Sequence, residues 1–276
     1  MKKLFSLFFF IFMSAVIIQS SPALAETRVV IASTTSAQAT GMYDVILPAY
    51  YKWTSIKGIR LDVVAVGTGQ AIKIAKRGDA DILFVHDKDK EMEFIKEGYG
   101  VGRHDVMYND FVVVGPPADP AKIKGAKTAP EAFRRILESG ALFISRGDES
   151  GTNSRELKIW KAAGLSPAGK SNYLSIGQGM GPALRMADEK AAYTLSDRGT
   201  YRKLKPELKG TEVLFQGDAS LRNQYGVMAV NPRKYPKVRY NVALDFIRFV
   251  TSPEGQKIIG GMKDKAGNPL FVPDAK

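Results

Sequence analysis

The chain has no cysteine, two histidines and two tryptophans, and its 28 acidic residues are outnumbered by 40 lysines and arginines. Without cysteine there is no disulfide, no thiolate nucleophile and no cysteine-ligated metal. Two histidines, His86 and His104, are too few for a histidine-rich metal site, and no metal or cofactor is expected. Both read as surface or capped residues, His86 at a strand end beside "DKDK" and His104 in a polar turn. That leaves no base for a serine nucleophile, and "SRGDESG" does not match the G-x-S-x-G elbow in any case. The acidic deficit gives a net charge of +12, which suits nucleic acid, an anionic surface or an anionic ligand. The basic residues are scattered and no motif that reads DNA or RNA is present, so no nucleic-acid partner is expected.

Long apolar runs are also scarce. The one from Leu4 to Ile18 is shorter than the ~18–20 residues of a spanning helix. It lies between Lys2-Lys3 and Ala23-Leu24-Ala25, the layout of a secretory signal peptide, and predicts cleavage after Ala25. No cysteine follows to carry a lipid, so an exported, unanchored protein of the bacterial periplasm is expected.

Strand-like runs then alternate with amphipathic helical stretches. "RVVIA" (28–32), "LDVVAV" (61–66) and "DILFVH" (81–86) read as buried strands, each followed by a helix. Such alternation predicts an α/β fold with a parallel sheet covered on both faces. "DFVVVGPP" (110–117) breaks the rhythm, running from strand into prolines with no helix between. A second alternating set follows, with strands at 141–145, 191–195 and 212–216, and "YGVMAV" (225–230) can cross back. The expected organisation is a first lobe over 26–112, a second over 113–226, and a return to the first over 227–276. Two crossing strands join the lobes, with hinges near 110–114 and 225–230.

Ligands of open α/β sheets sit beyond the carboxyl ends of the strands. Three strand ends carry unusual loops: Ser33-Thr34-Thr35-Ser36, Gly67-Thr68-Gly69 and "SRGDESGT" (145–152). Each offers hydroxyls and free N–H groups at a helix start, where the dipole also favours an anion. One alone reads as ordinary capping; three, from both lobes, predict a cleft lined with donors. The candidate ligands are Thr34, Thr35, Ser36, Thr68, Arg146, Ser150, Gly151 and Thr152. Arg146 is the natural cation, positioned by Asp148. None of the loops holds a lysine, as a nucleotide phosphate would favour, and "GTGQAI" lacks the third glycine of a dinucleotide loop. Asp79 and Asp81 read as turn caps.

Six segments, "ASTTSAQATGM", "VGTGQA", "GDADILFVH", "VMYNDFVVVGPPADPA", "SRGDESGTNSRELKIW" and "AAYTLSDRGTY", together resemble the tungstate-binding periplasmic proteins of tungstate-uptake ABC transporters. The resemblance runs through the chain after residue 25. It implies a type II periplasmic binding protein, two lobes and two hinge strands closing on a tetrahedral oxyanion that is passed to a membrane permease. The family's Thr-Thr-Thr-Ser loop falls on Ser33-Thr34-Thr35-Ser36, with Ser33 in place of the first Thr. Its anion-contacting Arg and Thr fall on Arg146 and Thr152. Arg146 through Thr152 is also similar to the phosphate-binding segment of periplasmic phosphate receptors, which add a carboxylate to accept the proton of hydrogen phosphate. Loops 33–36 and 67–69 contain no acidic residue, so an unprotonated anion is favoured.

The leading expectation is a monomeric, non-enzymatic periplasmic receptor for tungstate or molybdate that delivers its anion to a permease. A phosphate or other small-anion receptor on the same fold is the first alternative, and an exported enzyme acting on an anionic substrate the second. Cavity size, and the role of Ser33 and of the Gly177–Gly181 loop, are left to the tertiary structure.

Overall fold

The computed structural model describes residues 26–264 and 266–275; the expected signal peptide, 1–25, lies outside them. Lobe one opens with β1 (Thr27–Thr34), α1 (Thr35–Ala39), α2 (Met42–Trp53), β2 (Ile59–Val66), α3 (Thr68–Lys76), β3 (Ile82–Val85) and α4 (Lys88–Lys96). The long strand β4 (Gly100–Gly115) leads to lobe two, with α5 (Ala129–Glu138), β5 (Phe143–Ser145), α6 (Gly151–Ala162), β6 (Tyr173–Ser175), α7 (Met180–Glu189), β7 (Tyr193–Asp197), α8 (Arg198–Leu204) and β8 (Glu212–Phe215). Then β9 (Arg222–Val230), α9 (Tyr240–Thr251), α10 (Pro253–Gly260) and β10 (Val272–Pro273) close the chain.

The apolar runs form strands because both sheet faces are covered. In β1, Val29 and Ile31 enter one core while Val30 and Ala32 face another on the opposite side. In β4, Phe111 and Val113 likewise point away from Val112 and Val114. That is the period of two expected of a strand buried on both faces. β1 pairs in parallel with β2 and β3, and β5 in parallel with β6 and β7. The antiparallel strands β9 and β4 lie between these two parallel sets.

β4 carries the transition between lobes. Residues up to Asp110 pair with β9, and from Phe111 onward the strand pairs with β7 and β8. The sequence predicts only its second half. In Gly100–Asn109 the pairing register shifts twice, between Val101 and His104 and between Asp105 and Met107, and each shift disrupts the alternation that marks a strand. His104 accordingly sits exposed on this strand, not in a turn.

The return segment packs on lobe one. Tyr50 of α2 lies edge-on to Phe246 of α9, ring centroids 5.3 Å apart, and Asp245 accepts hydrogen bonds from Tyr50 at 3.0 Å and Thr54 at 2.5 Å. Lobe two centres on Trp160, whose ring packs edge-on to Phe133 and Phe143 at 4.6 and 5.3 Å. Beneath the start of α6, the buried Glu156 accepts hydrogen bonds from Ser145 (2.6 Å), Tyr173 (2.7 Å) and Trp160 (3.1 Å). Burial holds its carboxyl above the usual range, and these donors oppose the shift.

This carboxyl ties β5, β6 and α6 together, so Glu156→Ala should leave three buried donors unsatisfied. At about 1–3 kcal/mol for each orphaned group, a loss of about 3 kcal/mol or more is expected in denaturant unfolding. A loss below about 1 kcal/mol would show that water replaces the carboxyl freely.

Candidate functional site

The carboxyl ends of β1, β2 and β3 in lobe one face those of β5, β6 and β7 in lobe two, and the loops that follow them meet. Thr68 Oγ1 accepts a hydrogen bond from the Gly151 N–H at 3.0 Å, and Gly69 N–H donates to Glu149 O at 3.3 Å. The approach is close enough to require glycine. A Cβ on Gly151 would lie 2.8 Å from the His86 ring, and one on Gly67 would lie 3.2 Å from Asp148 O.

Arg146 lies at the centre of this contact and is 2% exposed. Its Nη2 donates to Asp148 at 2.6 Å, Nε donates to the same oxygen at 3.2 Å, and Nη1 reaches Thr152 Oγ1 at 3.4 Å. The loop reaches this position through Gly147, whose φ of +60° suits glycine and whose added Cβ would lie 1.8 Å from Ser175 Oγ. The Gly177–Gly181 segment is strapped to the same loop by Gln178 N–H donating to Arg146 O at 3.1 Å.

The eight candidate residues divide into three groups. Thr68, Arg146, Gly151 and Thr152 come together in the buried contact between lobes. Thr34 and Ser150 serve as N-caps, accepting from Ala37 N–H at 3.2 Å and Asn153 N–H at 3.1 Å; Thr34 Oγ1 also lies 3.2 Å from Ser36 Oγ. Thr35 is exposed and, with Ser36, lines a cavity of about 310 Å³ completed by Gly179, Gly181 and Thr200. Gly179 caps α7 without a side chain. Ser33 faces away from this cavity, donating to Phe84 O at 2.7 Å and accepting from Tyr43 at 2.5 Å.

The expectation for His86 is corrected. It is 4% exposed, 3.0 Å from Ser36 Oγ through Nε2, and tilted against the Tyr225 ring with centroids 4.8 Å apart. β3 ends between β1 and β9, and Phe111 and Gly151 cover the residue that follows it from the other side. Burial pushes the imidazole down to about 4, helped by the Arg146 charge. Ser36 and His86 thus form a hydroxyl–imidazole pair, which the sequence does not predict. The pair lacks the orienting carboxylate of a triad, since Nδ1 makes no full hydrogen bond, and so acidic an imidazole is a weak base. Asp81 instead has a structural role, accepting from Val30 N–H at 2.7 Å and Arg239 N–H at 2.6 Å.

Around Arg146 the structure gathers polar groups that sequence reasoning misses. His86 Nδ1, Asn109 Nδ2, Asp197 Oδ2, Thr200 Oγ1, Asn223 Oδ1 and Tyr225 Oη are all buried without a full hydrogen bond, His86 facing Asn223, Asp197 facing Thr200, and Tyr225 facing Asn109 and Asn223. Asn109 and Asn223 pair across β4 and β9 at 2.7 Å, and Asp197 Oδ1 accepts from Thr200 N–H at 2.8 Å. Buried polar atoms are nearly always satisfied, so a cluster of under-satisfied ones calls for a bound polar species. Asp197 adds a buried carboxyl to this cluster, from outside loops 33–36 and 67–69. Burial holds its carboxyl above the ordinary carboxylate range, against the opposing effects of Thr200 and Arg146. "TLSDRGT" carries the same signal as the three chosen loops, a strand end with a capping residue opening a helix. Asn109, Asn223 and Tyr225 have no local signal; only pairing of distant strands brings them here. Among the described residues no group of three or more His, Cys, Asp or Glu could hold a metal ion.

A profile of the PBP superfamily domain matches residues 21–254. The tungstate-binding protein TupA of Peptoclostridium acidaminophilum is 45% identical over 91% of this chain and 87% of its own length. The chain belongs to this family of binding proteins. Its fold is that of the tungstate ABC transporter structure from Geobacter sulfurreducens, at 51% identity and TM-score 0.76, covering 84% of this chain and 97% of that one. The tungstate-binding protein TupA from Desulfovibrio alaskensis G20 superposes with TM-score 0.78 at 41% identity, over 91% of this chain and all of the other. The two-lobe α/β architecture read from the sequence is therefore that of its relatives.

The His86 environment has a pH consequence. An imidazole held near 4 in the fold and near 6.5 when free leaves the unfolded chain binding the extra proton between those values. Stability is therefore lost as pH falls from 6.5 toward 4, by up to about 3 kcal/mol. Glu91, pushed up to about 7 by burial, acts with the opposite sign over part of this range, so His86→Gln is compared with wild type at each pH. The variant should lose less stability on acidification. Parallel curves for the two proteins would show that His86 titrates as an exposed residue.

Proposed function

We propose that this chain is the periplasmic receptor of an ABC transporter, capturing a tetrahedral oxyanion, tungstate or molybdate, and delivering it to a membrane permease. One observation carries the reading: a buried guanidinium surrounded by hydroxyls, helix starts and under-satisfied buried polar atoms, drawn from both lobes. Such a set favours a small anion with several acceptor oxygens. The names of its relatives and the family fold support the same conclusion. Each site is assembled from the two lobes of one chain, which supports a working monomer. Export with cleavage after Ala25 belongs to this proposal, and the mass of the periplasmic protein tests it.

In this proposal the lobes comprise about residues 26–112 and 113–226, with 227–276 returning to the first, and they close by bending of the crossing strands. All of β9 pairs with β3 and with the part of β4 before Phe111, which supports a second bend close to Arg222, within a few residues of the boundary near 226. Closure would form the Thr68–Gly151 contact and the rim pairs of Lys158 with Asp89 (2.6 Å) and Lys73 with Glu149 (3.2 Å). Small-angle scattering should show compaction when tungstate is added.

A phosphate receptor on the same fold is the second reading, and Asp197 Oδ2 is the observation that favours it, because a carboxylate oxygen can accept the proton of hydrogen phosphate. Direct competition by calorimetry decides. Tighter binding of tungstate than of phosphate is expected; equal or tighter phosphate binding would replace the first reading with the second.

The contacts themselves can be tested by substitution. Arg146→Ala should remain folded and lose about 2–5 kcal/mol of anion binding, roughly thirtyfold to several thousandfold in affinity. Thr68→Val and Thr152→Val should each cost about 1.5–3 kcal/mol, as for hydrogen bonds to a charged oxygen. The exposed Thr35 should cost less when changed to Val. Wild-type affinity in a folded Arg146→Ala protein would remove the guanidinium from the site.

A further inference from the structure

Asp197 presents a charge problem for a receptor of dianions. It is 0% exposed, its Oδ1 caps α8, and its buried Oδ2 makes no full hydrogen bond, with the Thr200 hydroxyl as its near neighbour. The groups facing it are few. Arg146 acts on it electrostatically from the β5–α6 loop, but Asp148 already engages that guanidinium at 2.6 Å. From β4 and β9 come the neutral groups of Asn109, Asn223 and Tyr225, whose phenol is held protonated by burial and by Asp197 itself. His86 is neutral above about 4. The adjacent Arg198 is turned to Asp110, which accepts from its Nε at 2.6 Å. Arg185 of α7 and Lys203 of α8 line the cavity beside Thr200 but are exposed, and Arg185 pairs with Glu207. Among the buried and half-buried groups, an ionised Asp197 would set two carboxylates, Asp148 and Asp197, against one guanidinium. A dianion placed there would meet a carboxylate in a medium of low dielectric, where like charges repel strongly.

We propose that Asp197 is a specificity-determining residue of the oxyanion site, binding an unprotonated dianion only as the neutral acid and a hydrogen-bearing dianion as the carboxylate. This rests on the receptor reading above. In the first case one proton moves from solvent to Oδ2, and the new O–H donates to an oxygen of the bound anion. In the second the anion's own O–H donates to Oδ2; no proton is exchanged where Asp197 is already ionised, and one leaves to solvent where it is not. The site therefore distinguishes the two classes of tetrahedral anion by pH. Tungstate binding weakens as pH rises through the range in which free Asp197 ionises, while hydrogen phosphate binding does not.

The residue can be altered without losing the cap, because Asn caps helices as well as Asp. In Asp197→Asn, Oδ1 can still accept from Thr200 and the amide nitrogen becomes a permanent donor toward the site. Calorimetry with sodium tungstate or sodium phosphate, from about pH 6 to about pH 9 in buffers of different ionisation enthalpy, counts the protons taken up. For wild type, uptake should approach one proton per tungstate wherever free Asp197 is ionised, with affinity falling about tenfold per pH unit there. Phosphate binding should show no uptake at any pH, and should release protons toward the acid end, where free phosphate and free Asp197 carry protons that the complex does not. Asp197→Asn should bind tungstate with no uptake and a flat pH profile, and should bind phosphate about tenfold to hundredfold more weakly than wild type. Tungstate binding by wild type with no proton uptake and flat affinity throughout would overturn the proposal. So would uptake that persists in Asp197→Asn, which would assign the proton to another group such as His86. Absence of tungstate binding by wild type near pH 6 would instead refute the receptor reading itself, so the two failures are distinguishable.

Discussion

The architecture of this protein follows from keeping one guanidinium out of water. Arg146 is buried between two lobes, and a desolvated cation is costly unless charge and hydrogen bonds compensate it. Asp148 provides the charge and Thr152 one acceptor. The rest of the compensation falls to whatever fills the cleft. A receptor built in this way is incomplete within its own chain, which gives an anion from solution something to complete.

The scaffold serves that end through repetition of one device. Parallel strands ending in the same direction place their following helices with N–H groups toward the cleft, first in lobe one and again in lobe two. The close approach of the loops is made by glycines: Gly151 against His86 and Thr68, and Gly67 against Asp148. Behind the Arg146 loop, Glu156 and its three donors hold the start of α6 against β5 and β6. Long-range pairing of β4 with β9 then forms the floor, setting Asn109 beside Asn223. Neutral dipoles dominate the interior, and the lysines that face the lobe junction stay at the rim. An anion is thus met by oriented donors more than by net charge, and a second buried charge such as Asp197 has a large influence on what binds.

Much of this was legible in the chain. The alternation of apolar runs, the loops 33–36, 67–69 and 145–152, and the pairing of Arg146 with Asp148 are local features: each depends on residues within a few positions of one another. Capping at Thr34 and Ser150 is equally local. His86 was misread because its neighbours in sequence, Asp87 and Lys88, are polar, whereas its neighbours in space are Phe111 and Tyr225. The first half of β4 was hidden by its register shifts. Asp197 carried a usable signal, a capping acid after a buried strand, but stood outside the three loops selected for their hydroxyls.

The sequence by itself determined the elements, the two-lobe α/β class and the chemistry of the donors, because periodicity, capping and turn formation act over a few residues. Only the tertiary structure decided which polar groups lose their water. Asn109, Asp197, Asn223 and Tyr225 are ordinary strand and loop residues until β4 crosses between the lobes and β9 pairs beside it. Burial is set by the whole fold, and it is burial that turns a carboxyl, an imidazole and a phenol into the walls of one site.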